Sequence, residues 1–125
     1  MRFITNHASV IKPGLPVGTL KIGDDFAQEA AGSLEIEIGG LTPGSQHDQL
    51  IVPNRALLGG TLRLQLRDGF VPAIGDEFVI MTFRSRSSGI QTTFQNIEGQ
   101  SMGGGKRLDI VYDSDRVRVR CVVAP

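Results

Sequence analysis

Three stretches of this chain alternate apolar with polar residues. Leu34, Ile36 and Ile38 are separated by Glu35 and Glu37, and Leu62, Leu64 and Leu66 by Arg63 and Gln65. Val117, Val119, Cys121 and Val123 alternate with Arg116, Arg118 and Arg120. Successive side chains of a β-strand point to opposite faces, so a period of two sends one set into a core and the other into water. Three such runs make the chain all-β.

The remaining segments read in the same way. Sixteen glycines and six prolines leave no window for a long helix. The longest helical candidate, residues 24–32, reads better as an edge strand or irregular loop. Residues 18–22, 48–52, 89–97 and 107–112 are short strands bounded by turn residues. Residues 77–83 are apolar on both parities, which predicts a central strand covered on both faces. Pro43 and Gly44 suit the centre of a type II turn, residues 72–76 form another reversal, and Asp113 and Asp115 favour a hairpin. Residues 98–106 read as the longest loop.

The expected architecture is a sandwich, jelly roll or short β-solenoid of about eight to ten short strands. Residues 1–17 form an N-terminal extension with room for an added strand, and 18–125 a single domain. The expected core is Leu34, Ile36, Ile38, Leu50, Leu62, Leu64, Leu66, Phe70, Phe78, Ile80, Phe94, Ile110, Val117 and Val119. Gly-Thr-Leu at 18–20, Gly-Ser-Leu at 32–34 and Gly-Thr-Leu at 60–62 each open a strand. Offsets of this kind arise when turns of chain stack on one another.

Charge narrows the function. Thirteen basic and thirteen acidic residues cancel, whereas nucleic-acid binders carry a basic footprint that neutralises phosphates. No Trp and a single Tyr leave little for base or sugar stacking. No run approaches the ~20 apolar residues of a membrane-spanning helix. The one cysteine, Cys121, forms no internal disulfide and falls on the apolar side of its strand, as a small buried residue.

The run from Gly32 through Phe83, the Phe94–Ile97 segment and the Leu108–Val122 segment together resemble a segment near the C-terminal ends of large bacterial surface proteins of the autotransporter-like and adhesin-like kind. The features that carry the resemblance are the Gly40-Leu41-Thr42-Pro43-Gly44-Ser45 turn, the Asp48-Gln49-Leu50 strand, the Gly59-Gly60-Thr61-Leu62 strand, the turn from Gly69 to Asp76 and the Val111-Tyr112-Asp113 hairpin. His47 stands where that pattern usually has an aromatic residue. The resemblance implies a β-solenoid or sandwich module at the end of an extracellular scaffold at the cell surface. It implies neighbouring surface-protein domains or a second copy as partners, and no catalytic residues.

Candidate sites follow from the polar residues. A Ser-His-Asp system requires a poised nucleophile and a base oriented by a carboxylate. His47 and Asp48 are neighbours that point to opposite faces of a strand, so they read as an exposed histidine and a turn-fixing aspartate; His7 is the other histidine. Calcium takes carboxylates and carbonyls from Gly/Asp turns, with Asp24, Asp25, Asp113 and Asp115 as candidates beside Asp76 and Glu77. Gly103-Gly104-Gly105-Lys106 lacks the first glycine, the Ser/Thr and the following helix of a phosphate loop. Arg116, Arg118 and Arg120 with Arg84 and Arg86 are the candidate surface for an anionic polysaccharide or a lipid head group. The competing reading pairs arginines with acids across strands. Among function classes, a structural or self-associating module comes first, a carbohydrate-binding module second and a hydrolase third.

Overall fold

The computed structural model describes residues 4–6, 10–13, 18–86 and 93–124. Those residues form β1 (Ile4–Asn6), β2 (Val10–Ile11), β3 (Thr19–Lys21), β4 (Phe26–Gln28), β5 (Ser33–Ile38) and β6 (Gln49–Leu57). They continue as β7 (Thr61–Leu66), β8 (Glu77–Arg86), β9 (Asn96–Glu98), β10 (Ser101–Gly103), β11 (Lys106–Tyr112) and β12 (Arg116–Val123). The class is all-β as expected, with no helix among the described residues and hence none long and apolar enough to cross a membrane. Twelve strands exceed the eight to ten expected, mainly because 1–17 and 98–103 contribute strands of their own.

The chain crosses back and forth between two sheets. One has the order β1-β4-β6-β8-β12-β11-β10, with β3 also pairing β6; the other is β2-β5-β7-β9. Every pair from β1 to β9 is parallel, each strand lying beside the one laid down in the previous turn. From β8 onward the first sheet turns antiparallel through β12, β11 and β10. Only Gly99 and Gln100 separate β9, the last strand of one sheet, from β10, the edge strand of the other. This stretch and β11 therefore draw the two sheets together at one end of the winding, where Gln100 O accepts the Leu108 N–H at 2.8 Å.

Parallel register stacks like residues. Leu34 pairs with Leu62, Ile36 with Leu64 and Ile38 with Leu66, and Leu62 with Ile97. Gly-Ser-Leu at 32–34 and Gly-Thr-Leu at 60–62 are thus the same position in successive turns. Gly-Thr-Leu at 18–20 lies beside Gln49 and Leu50 in the other sheet, so its offset is no turn length. Each Leu or Ile fully buried in such a stack contributes about 1.5–3 kcal/mol.

Eleven of the fourteen expected core residues are buried, and Leu66, Phe70 and Ile110 pack half-buried against them. Ile22, Phe26, Val52, Ala56, Leu58, Met81, Phe83, Leu108 and Cys121 complete the core. Residues 77–83 form a central strand, as expected, but its outer face is not covered: Val79 and Thr82 are half-exposed. The double parity has another cause. Val117 pairs with Met81 and Arg118 with Val79, so Ile80 is an extra residue in a β-bulge. Ile80 and Met81 consequently both face inward. Residues 98–106 are likewise not a loop, but two strands and a tight turn at Gly104 and Gly105, both with positive φ, 65° and 74°. The expected strand at 89–97 begins outside the described residues, and within them starts only at Asn96.

Where the chain leaves one sheet for the other, buried amides satisfy the backbone. The Gln28 side chain is fully buried; its Nε2 donates to the carbonyls of Gly59 (2.8 Å) and Thr61 (3.2 Å), and its Oε1 accepts from Asn6 Nδ2 at 3.1 Å. Asn6 Nδ2 also lies 3.1 Å from Ser33 O, and Gln95 Oε1 accepts the Gly60 N–H at 3.2 Å. Gly60 has φ +64°, and a Cβ there would overlap the Gly32 carbonyl oxygen. Gly104 has a similar φ but nothing within 4 Å of that position. Gly104→Ala is expected to cost about 1 kcal/mol from backbone strain alone. Gly60→Ala adds an unrelievable backbone clash and is expected to cost ~3 kcal/mol or more. Urea-unfolding midpoints check this, and equal midpoints for the two variants would refute it.

Candidate functional site

The sequence placed an exposed histidine and a turn aspartate at 47 and 48. Both are fully buried. The chain re-enters the first sheet here from the turn at 39–46, and His47 bridges in isolation to Ile38 and Pro43. Its Nδ1 lies 3.0 Å from Gly40 O and its Nε2 3.2 Å from Val79 O, while the ring sits edge-on to Phe78 with centroids 5.5 Å apart. An aromatic-sized ring thus fills the core while its nitrogens meet carbonyls on two elements. Asp48 Oδ1 accepts the Gly18 N–H at 2.8 Å and Oδ2 the Glu37 N–H at 2.9 Å, joining the start of β3 to β5. Burial pushes the Asp48 carboxyl above its ordinary value, outweighing those two bonds. The pair does not share a hydrogen bond, as its opposite-facing positions required, and each group is engaged by backbone. His7 lies outside the described residues.

The five arginines of the candidate surface divide. Arg118 donates to Asp113 Oδ2 (2.7 Å) and Glu77 Oε2 (2.9 Å), Arg116 to Asp115 Oδ1 (3.1 Å), and Arg120 lies 3.8 Å from Glu77 Oε2. The hydrogen bonds it donates to Asp113 and Glu77 hold the pKa of the Arg118 guanidinium above its ordinary value. Arg118 and Arg120 are thus paired with Glu77 on β8 across strands, while Arg116 pairs with its neighbour Asp115 in the turn. Arg86 lies over the Tyr112 ring, 5.4 Å from its centroid. That covers one face of the only tyrosine, whose phenol oxygen accepts the Phe94 N–H at 3.2 Å and whose burial raises its pKa, disfavouring the phenolate. Arg84 is exposed on the same strand as Arg86.

Of the calcium candidates, Asp24 is half-exposed in the turn before β4, and the others are engaged by protein groups. Hydrogen bonds from Arg118 hold the Asp113 carboxyl below its ordinary value, and those from Arg116 do the same for Asp115. Asp25 Oδ1 accepts the Arg55 N–H at 3.0 Å, and Asp76 Oδ2 caps its own turn through the Ala73 N–H at 2.9 Å. Among the described residues no three His, Cys, Asp or Glu side chains gather as a metal ion requires. The Cys121 thiol is buried, 4.0 Å from Met102 Sδ, and burial raises its pKa.

A shallow cleft of about 220 Å³ opens at the closed end, lined by Gln100, Ser101, Lys106, Arg107 and Ala124. Its two cations are occupied. Lys106 Nζ donates to Pro72 O at 2.7 Å, and Arg107 Nε lies 2.7 Å from Asp109 Oδ1, though off the line of a hydrogen bond. Sequence reasoning missed the two groups that hold most backbone: the Asn6–Gln28 amides and the His47–Asp48 pair. The signal for the first was available, since Gln28 precedes the Gly-Ser-Leu unit that repeats at 60–62. The chain matches no protein-family model and no curated protein sequence.

The two classes of carboxylate carry opposite pH signatures. Asp48, raised from 3.8, contributes stability that is fully present below that value and lost as the pH rises through its folded-state value. Asp113, lowered from 3.8, contributes stability present above it and lost as the pH falls through its own folded-state value. Asp48→Asn is expected to cost about 1–3 kcal/mol, because one backbone N–H loses its acceptor, and to remove the decline on the alkaline side of 3.8. Asp113→Asn is expected to make the acid limb shallower. Urea-unfolding free energies across the acid range test both, and parallel curves for the two variants would contradict the assignment.

Proposed function

We propose that this domain is a non-catalytic structural module of a bacterial cell-surface protein, a short β-solenoid whose antiparallel strands close one end of a parallel winding. The observation that carries the reading is the change of direction after β8. Parallel turns leave strand edges and apolar side chains exposed at each end of a winding, and such ends need a cap. Here β12 and β11 continue one sheet antiparallel, and the 96–103 stretch brings that sheet to the last strand of the other. The placement at a cell surface, beside neighbouring domains of the same scaffold, rests on the resemblance of the 32–83 run and the segments that follow it. Ion pairing of Arg116, Arg118 and Arg120, and Arg86 over Tyr112, favour a structural role for those residues over a polysaccharide surface.

Deleting residues 99–124 removes the closing strands and leaves the parallel turns. The truncated chain is expected to keep a β circular-dichroism spectrum and to form concentration-dependent assemblies, while the intact chain stays a discrete species by light scattering during gel filtration. A folded truncated chain as discrete as the intact one would overturn the capping role.

A further inference from the structure

The outward face of the second sheet carries charges that alternate from turn to turn. Lys12, directly after β2, lies 3.5 Å from Glu35 on β5; Glu35 lies 3.6 Å from Arg63 on β7; and Arg63 Nε donates to Glu98 on β9 at 2.8 Å. The register places Glu35, Arg63 and Glu98 directly opposite one another, and the Val10–Ser33 and Ile11–Leu34 pairs lead on to Lys12 opposite Glu35. Read along the winding, the order is plus, minus, plus, minus. Both inner members are flanked by opposite charge on each side. At the closed end, Glu98 leads into the stretch that joins the other sheet. At the other end, among the described residues, Lys12 has an acid on one side only, its side chain is 47% exposed, and Val10 beside it is 49% exposed.

We propose that the β2 edge is an interaction surface for one further parallel strand, supplied by a partner, with an Asp or Glu in register with Lys12 and apolar residues on either side of that acid. This rests on the capping reading, and it adds the partner's chemistry. A strand added to an exposed edge gains main-chain hydrogen bonds whatever its sequence, so side chains at fixed register supply the selectivity. An acid opposite Lys12 continues the alternation, whereas a base there meets like charge directly across the strand pair. Ile11, half-buried on the inward face next to Lys12, offers the contact for the apolar residue that precedes the acid.

The probe is a labelled peptide with the sequence of residues 26–38 of this chain, which carries Glu35 between Leu34 and Ile36. Titrated against the full-length protein and followed by fluorescence anisotropy, it is expected to bind saturably. The Glu35→Lys peptide is expected to bind roughly fivefold more weakly, the scale of one exposed ion pair. Lys12→Glu protein is expected to reverse the preference between the two peptides, and its thermal melt confirms that it folds. The Glu35→Lys peptide on unaltered protein decides the matter if that variant does not fold. Equal binding of both peptides would overturn the charge register while leaving the capping reading intact; no saturable binding would overturn the edge itself. A concentration-dependent dimer that the peptide fails to dissociate would assign the edge to a second copy instead. The 99–124 deletion reads the opposite end of the winding, so the two readings fail separately.

Discussion

A chain that crosses repeatedly between two sheets must bury its corners, and buried backbone groups without partners cost about 1–3 kcal/mol each. The Gln28 amide answers that requirement most directly. Its carboxamide reaches forward to the Gly59 and Thr61 carbonyls of the next turn and back to Asn6 of the one before. One side chain thus fixes the spacing of three successive turns. The glycines at 32 and 60 exist for the same reason, because the corner backbones approach too closely for a Cβ. With the corners fixed, Leu34 falls beside Leu62 and the apolar stacks follow.

The opposite corner is held by His47 and Asp48, with the Gln49 amide donating to the same Val79 carbonyl that His47 meets. Asp48 carries a burial cost that two backbone N–H groups offset only in part, so its carboxyl is raised where surface carboxylates such as Asp113 are lowered. The contrast shows two uses of charge in one small domain. Inside, a carboxylate replaces missing backbone acceptors. Outside, acids and arginines alternate over the sheet faces and keep flat β surfaces soluble without a net field.

The sequence made much of the core legible because period two is a strong constraint: Leu34 to Ile38, Leu62 to Leu66 and Val117 to Cys121 all bury the expected face. It hid whatever depends on relations between distant turns. Ile80 in a bulge gave residues 77–83 an apolar pattern on both parities that imitates a strand covered on both faces. The three glycines at 103–105 imitated a flexible loop, although two of them make the tightest turn of the antiparallel region. The burial of His47, Gln28 and Asn6 was invisible for a plainer reason: a polar residue enters the core only when specific carbonyls await it, and all of those but Gly40 come from residues 27 to 33 positions away. The arginine stripe was legible as a stripe, but its partner Glu77 becomes visible only once β8 and β12 are paired, and Asp113 only once the β11–β12 turn is closed.

The position of β12 has a mechanical consequence. The last strand of a fold is often its loosest, an edge that peels away one hydrogen bond at a time. Here β12 lies between β8 and β11 and is bonded along both edges, and the 71–76 segment adds the Gly75–Cys121 and Asp76–Cys121 bonds at its far end. Detaching it means breaking two ladders together. A pull applied at residue 124 therefore loads the interior of the sheet first, not a peeling edge.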